Sequence, residues 1–255
     1  MEKNTLIHID NISKKYGQLQ ALSDFSFDVS PGERIALIGS SGAGKSTLLS
    51  ILSGSESSDT GDFKVKSTDF KTLSKRDRSV LIGLIRQRFD LIEPLKVVHN
   101  VLAGHLGRWS TLKSLVSLIV PQNVESAAAA LRQVGIEDKL HEKTAVLSGG
   151  EKQRVALARL LVQDPQIILA DEPVASLDPE RARQILDHLC AMTRSGDKVL
   201  IASMHSIDFA KAYFTRVVGL KNGRLLFDKT SEALTDRDIQ ALYEIESSPQ
   251  GDDYE

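Results

Sequence analysis

The sequence predicts an α/β protein built on a mostly parallel sheet flanked by helices, with an antiparallel β subdomain near its start and an α-helical subdomain inserted in its middle. Three observations predict this. Apolar runs alternate with helical patterns over much of the chain, as strand–helix–strand units require. One such run, Arg34 to Ile38, passes through a glycine-rich turn straight into a helical stretch. From about Arg88 to Asp164 the strand signals stop and helical patterns take over. With 255 residues, 41% hydrophobic and 26% charged, the chain is long enough to bury a full core. The expectation is a single domain over residues 1–245, with its core at 1–87 and 165–245 and the helical subdomain at 88–164. Residues 246–255 are acidic and polar, which predicts a disordered tail.

Element by element, Leu6-Ile7-His8-Ile9 and Phe25-Ser26-Phe27-Asp28-Val29 read as antiparallel strands, the second alternating with period two. After the strand at Arg34 to Ile38, residues 46–53 read as a helix. Residues 97–102, 112–119 and the alanine run 127–131, stopped by Gly135, are better helices than strands. A further helix opens near Ser148 and continues through residues 155–161. Ile167-Ile168-Leu169-Ala170, four consecutive apolar residues, read as a strand buried on both faces. Strands follow at 198–202 and 216–220, and Lys221-Asn222-Gly223-Arg224 is a hairpin signal. The single cysteine, Cys190, excludes an internal disulfide and reads as a small core residue of a helix. No charged-then-apolar leader opens the sequence and no apolar run reaches the roughly 18 residues of a bilayer span, so a soluble protein is expected. A net charge of −2 argues against a nucleic-acid partner.

Chemistry concentrates in three runs. Gly39-Ser40-Ser41-Gly42-Ala43-Gly44-Lys45-Ser46-Thr47 fits G-x-x-x-x-G-K-[ST] between a strand and a helix. Its glycines let successive N–H groups turn inward as an anion nest at a positive helix end. Lys45 is a point charge for β and γ phosphates, and the Ser46 hydroxyl is placed for Mg²⁺. In the second run the apolar strand ends in Asp171-Glu172. Asp171 would hold Mg²⁺, and Glu172, one residue on, would polarise an attacking water. Together they describe a pocket that binds a nucleoside triphosphate with Mg²⁺ and splits it. The third run is Leu147-Ser148-Gly149-Gly150-Glu151-Lys152-Gln153-Arg154. Ser148, Gly149 and Gly150 form a second anion site at a helix end, while Ser148 and Glu151 also have the spacing of a capping box. Both readings can hold.

With this third run the sequence resembles the ATP-binding cassette (ABC) superfamily, whose signature is LSGG, and the resemblance covers nearly the whole chain. It implies a RecA-like phosphate-loop core and a cassette that works as a dimer, Ser148 to Gly150 of one chain meeting the γ-phosphate of ATP held by the other. It implies that Tyr16 stacks on adenine and that Gln87 touches Mg²⁺ and the attacking water. It further implies that the loop Ser176-Leu177-Asp178 crosses the dimer interface and that His205 bonds the γ-phosphate. The implied partners are a second ATPase subunit, as a homodimer, integral membrane permease subunits and, indirectly, a solute-binding protein. The implied location is the cytoplasmic face of the membrane, peripherally bound. Residues 100–110, 172–179 and 205–210 look like ATPase subunits of phosphonate importers. The alternatives are an ABC export or lipid-extraction ATPase, or a soluble ABC protein outside transport. The apolar stretch from Trp109 to Val120 fits either the subdomain's own core or part of a groove for the permease.

Overall fold

The structure is a computed structural model that describes residues 5–86, 89–175 and 177–244. Gln87, Arg88, Ser176 and the tail 246–255 lie outside the described residues.

Strands β1 (Ile7–Tyr16) and β2 (Leu19–Val29) pair antiparallel, with Ile7 opposite Val29 and Tyr16 opposite Leu19. Both are longer than their apolar runs predict, because polar residues separate the further buried positions Ile12, Ala21 and Leu22 while the ladder continues. Strand β3 (Arg34–Ile38) leads through the glycine-rich turn into α1 (Lys45–Ser53), which Gly54 stops in the left-handed conformation. Then come β4 (Thr60–Val65), β5 (Thr68–Asp69), α2 (Lys75–Leu81) and β6 (Ile82–Ile85). These three strands carry weak signals. β4 and β5 are short and mostly polar, and β6 follows α2 without a loop.

Helices α3 (Val97–Leu102), α4 (Thr111–Ile119), α5 (Val124–Gln133) and α6 (Gly149–Gln163) occupy the stretch where strand signals were absent. Next are β7 (Ile167–Ala170), α7 (Pro179–Ala191), β8 (Val199–Ser203) and α8 (Ile207–Tyr213). The chain continues through β9 (Arg216–Lys221), β10 (Arg224–Thr230) and α9 (Asp236–Tyr243). β9 and β10 form the expected hairpin, with Asn222 and Gly223 both at positive φ as a tight two-residue turn demands.

Two sheets result, one ordered β2-β1-β4-β5 and one ordered β10-β9-β3-β8-β7-β6. In the larger sheet β9, β3, β8, β7 and β6 are parallel, and β10 closes one edge antiparallel. Its central strands are buried on both faces, and alternate residues serve different cores. Ala36, Ile38, Ile168, Ala170, Leu200 and Ala202 face a cluster shared with α3, α5, α6 and α7. Ile35, Leu37, Ile167, Leu169, Val199 and Ile201 face the opposite way, toward Phe25, Phe27 and the apolar side of α1. Cys190 lies buried on α7, and burial pushes its thiol pKa up.

The helical stretch packs on α6. Val98, Val101, Ala127, Leu131 and Val155 share one cluster. Buried Asn100 ties the preceding segment down, accepting from Ile92 N at 2.7 Å and donating to Thr144 Oγ1 at 2.9 Å. Leu131, fully buried in this cluster, sets a stability test. Leu131→Ala should lower the unfolding free energy by about 2–5 kcal/mol in urea titration, through lost burial and the cavity left behind.

Candidate active site

The site forms where β3, β7 and β8 end side by side. Parallel pairing puts Leu37 opposite Ser203 and Ala170 opposite Ala202, so the three following loops leave the sheet together. The loop after β3 approaches backbone closely on two sides. A Cβ on Gly39 would lie 2.3 Å from Leu220 O, and one on Gly44 would lie 2.5 Å from Ala21 O. Gly44 also has φ +101°, which favours glycine again. Gly44 caps α1 without a side chain, so the first N–H groups of the helix stay open toward the loop.

Lys45 is 5% exposed and folds back along the loop, its Nζ donating to Gly39 O at 2.8 Å and Ser40 O at 3.0 Å. Burial lowers its pKa, and the nearby carboxylates Glu172 and Asp171 act in the opposite direction. On Asp171, one oxygen, Oδ1, accepts from Ser46 Oγ at 3.1 Å and from Ser203 Oγ at 2.7 Å. The Ser203 hydroxyl in turn accepts from Glu172 N at 2.7 Å. Glu172 sits at φ +50°, a strained conformation for a residue with a Cβ. Its Oε1 lies 2.6 Å from His205 Nε2, a hydrogen bond between two candidate catalytic side chains.

Gly39, Ser40, Ser41, Gly42, Ala43, Gly44, Lys45, Ser46 and Thr47, with Asp171, Glu172 and His205, thus converge from three strand ends. Ser46 and Asp171 offer hard oxygen donors on one side of the loop, a set that suits Mg²⁺ when phosphate oxygens complete it. Tyr16 is exposed at the end of β1, 5.5 Å from Lys14 Nζ. It pairs with Leu19 on β2, the strand whose Ala21 carbonyl approaches Gly44. Gln87 lies outside the described residues.

Ser148, Gly149 and Gly150 open α6 elsewhere. Among the described residues no hydrogen bond joins them to residues 39–47. Ser148 does form the capping box, accepting from Glu151 N at 3.3 Å while Glu151 Oε2 accepts from Ser148 N at 2.8 Å. The Ser148 bonds hold the Glu151 carboxyl below its ordinary pKa. Asp178 N-caps α7, accepting from Arg181 N at 3.0 Å.

Two residues escaped the sequence reading. Ser203 is fully buried, and its hydroxyl links both acidic residues. Its one signal is a polar residue ending an apolar run two positions before His205. Gln153, inside the signature helix, donates its side-chain amide to Pro173 O in the loop after Glu172.

A family model described as ABC transporter matches residues 22–175. The chain is 40% identical over 243 residues to the phosphonates import ATP-binding protein PhnC of Pseudomonas putida, covering 94% of this chain and 90% of the relative. It is 38% identical over 248 residues to PhnC 1 of a Nostoc species, covering 95% and 94%. Among solved structures, a dimeric bacterial ABC transporter cassette superposes with TM-score 0.77 at 27% identity, over 89% of this chain and 100% of that one. An ATP-binding cassette in a post-hydrolysis dimer bound to ADP and Pi superposes with TM-score 0.76 at 26% identity, with the same coverage. With these matches spanning a site already assembled from its own strands, the chain belongs to the ABC transporter family, as one of its ATP-binding cassettes.

Proposed function

We propose that this chain is the ATP-hydrolysing subunit of a membrane importer, energising uptake of phosphonate or a related oxyanion. The observation that carries this is the convergence of Lys45, Ser46, Asp171, Glu172 and His205 at one sheet edge, in a chain whose relatives over more than nine-tenths of its length are named phosphonates import ATP-binding proteins. The subunit sits peripherally on the cytoplasmic face of the membrane and works as a homodimer with integral permease subunits, a solute-binding protein acting with them. Among the described residues no helix is long and apolar enough to cross a membrane. A groove of about 380 Å³, lined by Ser55, Lys75, Arg78, Arg86 and Asp90 among others, suits a polar permease segment. Trp109 and α4 do not line it.

In the proposed cycle the loop 39–47 and the open N–H groups of α1 take the phosphates of ATP, and Lys45 exchanges its two carbonyl partners for phosphate oxygens. The adenine stacks on Tyr16. Ser46, Asp171 and Gln87 are the residues that would hold Mg²⁺, which when bound offsets the charge developing on the phosphates. Glu172 accepts the proton of the attacking water, and His205 holds that carboxylate in place and reaches the γ-phosphate. Residues 148–150 of the partner cassette cover the same γ-phosphate, and Asp178 lies at the crossing loop. Two bound ATP close the dimer, hydrolysis reopens it, and the swing of the helical subdomain passes to the permease. Gln153, bonded to Pro173 O, connects that subdomain's signature helix to the loop bearing Glu172.

Replacing Glu172 by Gln should leave ATP binding within about threefold of wild type, read by equilibrium dialysis, while lowering turnover by about 10²–10⁴-fold, the range of a lost general base. Wild-type turnover in that variant would remove Glu172 from the chemistry. Ser203→Ala should cost about 1–3 kcal/mol of stability, through unmet hydrogen bonds at Asp171 and Glu172 N. It should also lower kcat more than it raises KM, because it releases the loop carrying both carboxylates. An unchanged kcat in steady-state assays would make Ser203 a packing residue alone.

A further inference from the structure

Helix α4 is built inside out. Ser117 is 6% exposed, whereas Leu112 is 73% and Ile119 is 85% exposed. Leu115 and Val116, and Val120 just past the helix end, are exposed with them. At 3.6 residues per turn, 112, 115, 116 and 119 share one face, and it is the face turned to solvent. Trp109 packs against the core cluster, but among the described side chains of α4 the apolar stripe is turned away from it. Contiguous apolar surface of this kind marks a contact with another body.

The base of the helix is firmly held. Arg76 donates to Gly107 O at 2.9 Å and to Arg108 O at 3.0 Å, and Arg108 donates to Asp164 O at 3.1 Å. Trp109 precedes α4, half-buried, its ring stacked on His105 at 5.0 Å with Lys113 Nζ 4.9 Å above it. The chain segment that carries this stripe has charges of one sign. Between Glu93 and Glu125 the chain has no acidic residue, while Lys96, Arg108 and Lys113 fall in that interval. Behind the turn, a groove gathers Lys66, Arg76 and Arg108 against Asp77 and Asp164.

We propose that α4 is an interfacial helix whose apolar face enters the boundary of an anionic lipid surface beside the permease. Lys113 and Arg108 then lie at the headgroup phosphates, and Trp109 sits at the depth where indole rings collect. An apolar face rimmed by cations fits such a surface in both its parts. A second copy of this chain is a poorer occupant. Two and a half turns offer less than the roughly 800 Å² each partner gives to a standard interface, and like charges would face each other. The proposal rests on the reading of the chain as a permease-bound ATPase. So short a helix binds weakly alone, and permease attachment raises its local concentration at the membrane.

Trp109 is the chain's only tryptophan, so its emission reports on this helix alone. The test mixes the purified full chain with protein-free vesicles of phosphatidylglycerol and phosphatidylcholine, or of phosphatidylcholine alone, with brominated acyl chains. The expected result is flotation with the anionic vesicles, quenching of Trp109 by the bromines, and loss of both at high salt. Leu115→Ser combined with Ile119→Ser should weaken partitioning by at least about tenfold, with ATP turnover in solution unchanged. Lys113→Glu, which leaves the apolar stripe intact, should remove the preference for anionic vesicles even if the double variant folds poorly. No flotation, or flotation indifferent to these substitutions, overturns the proposal. So does α4-dependent binding seen only with nanodiscs that contain a permease, which would assign the stripe to that protein. A vesicle-free sedimentation shift abolished by the double variant would assign it to a second copy. Failure of the ATPase reading would appear separately, as absent turnover in the wild-type chain.

Discussion

A single carboxylate oxygen holds the active site together. Asp171 Oδ1 accepts hydrogen bonds from Ser46, in the first turn of α1, and from Ser203, at the end of β8. It thereby fastens three strand ends and the phosphate loop to one another. Hydrogen bonds to a charged acceptor are worth about 1.5–3 kcal/mol each, more than neutral ones. They can form only because the ladder keeps β3, β8 and β7 adjacent and in register. That ladder in turn depends on burial of both sheet faces, which needs the antiparallel sheet on one side and the helices on the other.

The same arrangement stores charge in readiness for a phosphate chain. Lys45 is buried against carbonyls of its own loop, with two carboxylates nearby, at a cost in solvation that phosphate oxygens would offset. Glu172 is held in a left-handed backbone conformation by the Ser203 hydroxyl on its N–H and by His205 on its carboxylate. Strain at such a position persists only where neighbours over-determine it. The bond from Gln153 to Pro173 O extends this constraint to the signature helix. A direct hydrogen bond thus joins α6 to the loop that follows Glu172.

The capping box at Ser148 already engages the groups that a second anion would use. Its hydroxyl already satisfies a helix N–H, and its own N–H is taken by Glu151. A phosphate arriving from a partner cassette would compete with the Glu151 carboxylate for the same donors. Glu151 thus places a carboxylate beside the Ser148 N–H and hydroxyl. Lys152, paired with Glu93 at 2.5 Å, and Arg154, bound to Val134 O at 2.8 Å, are engaged elsewhere.

Local order made much of this legible without coordinates. The strand–loop–helix at residues 34–53, the apolar run ending in Asp171 and Glu172, and the Ser148 helix start are each encoded within a few consecutive residues, because backbone conformation and capping are short-range. Strands β4, β5 and β6 were not legible, since so few residues, several of them polar, acquire strand character only from the neighbours they pair with. The sequence pattern announced that residues 112–119 form a helix in an apolar stretch, but it carries no information about which way the apolar side chains point. Ser203 lies one residue past the expected strand 198–202, and its role shows only with β7 beside it. The sequence by itself determined which chemical groups the protein owns and the local turns that present them. Tertiary structure decided which groups meet, because a hydrogen bond over 2.7 Å between residues 32 apart in the chain exists only once the sheet has brought them together.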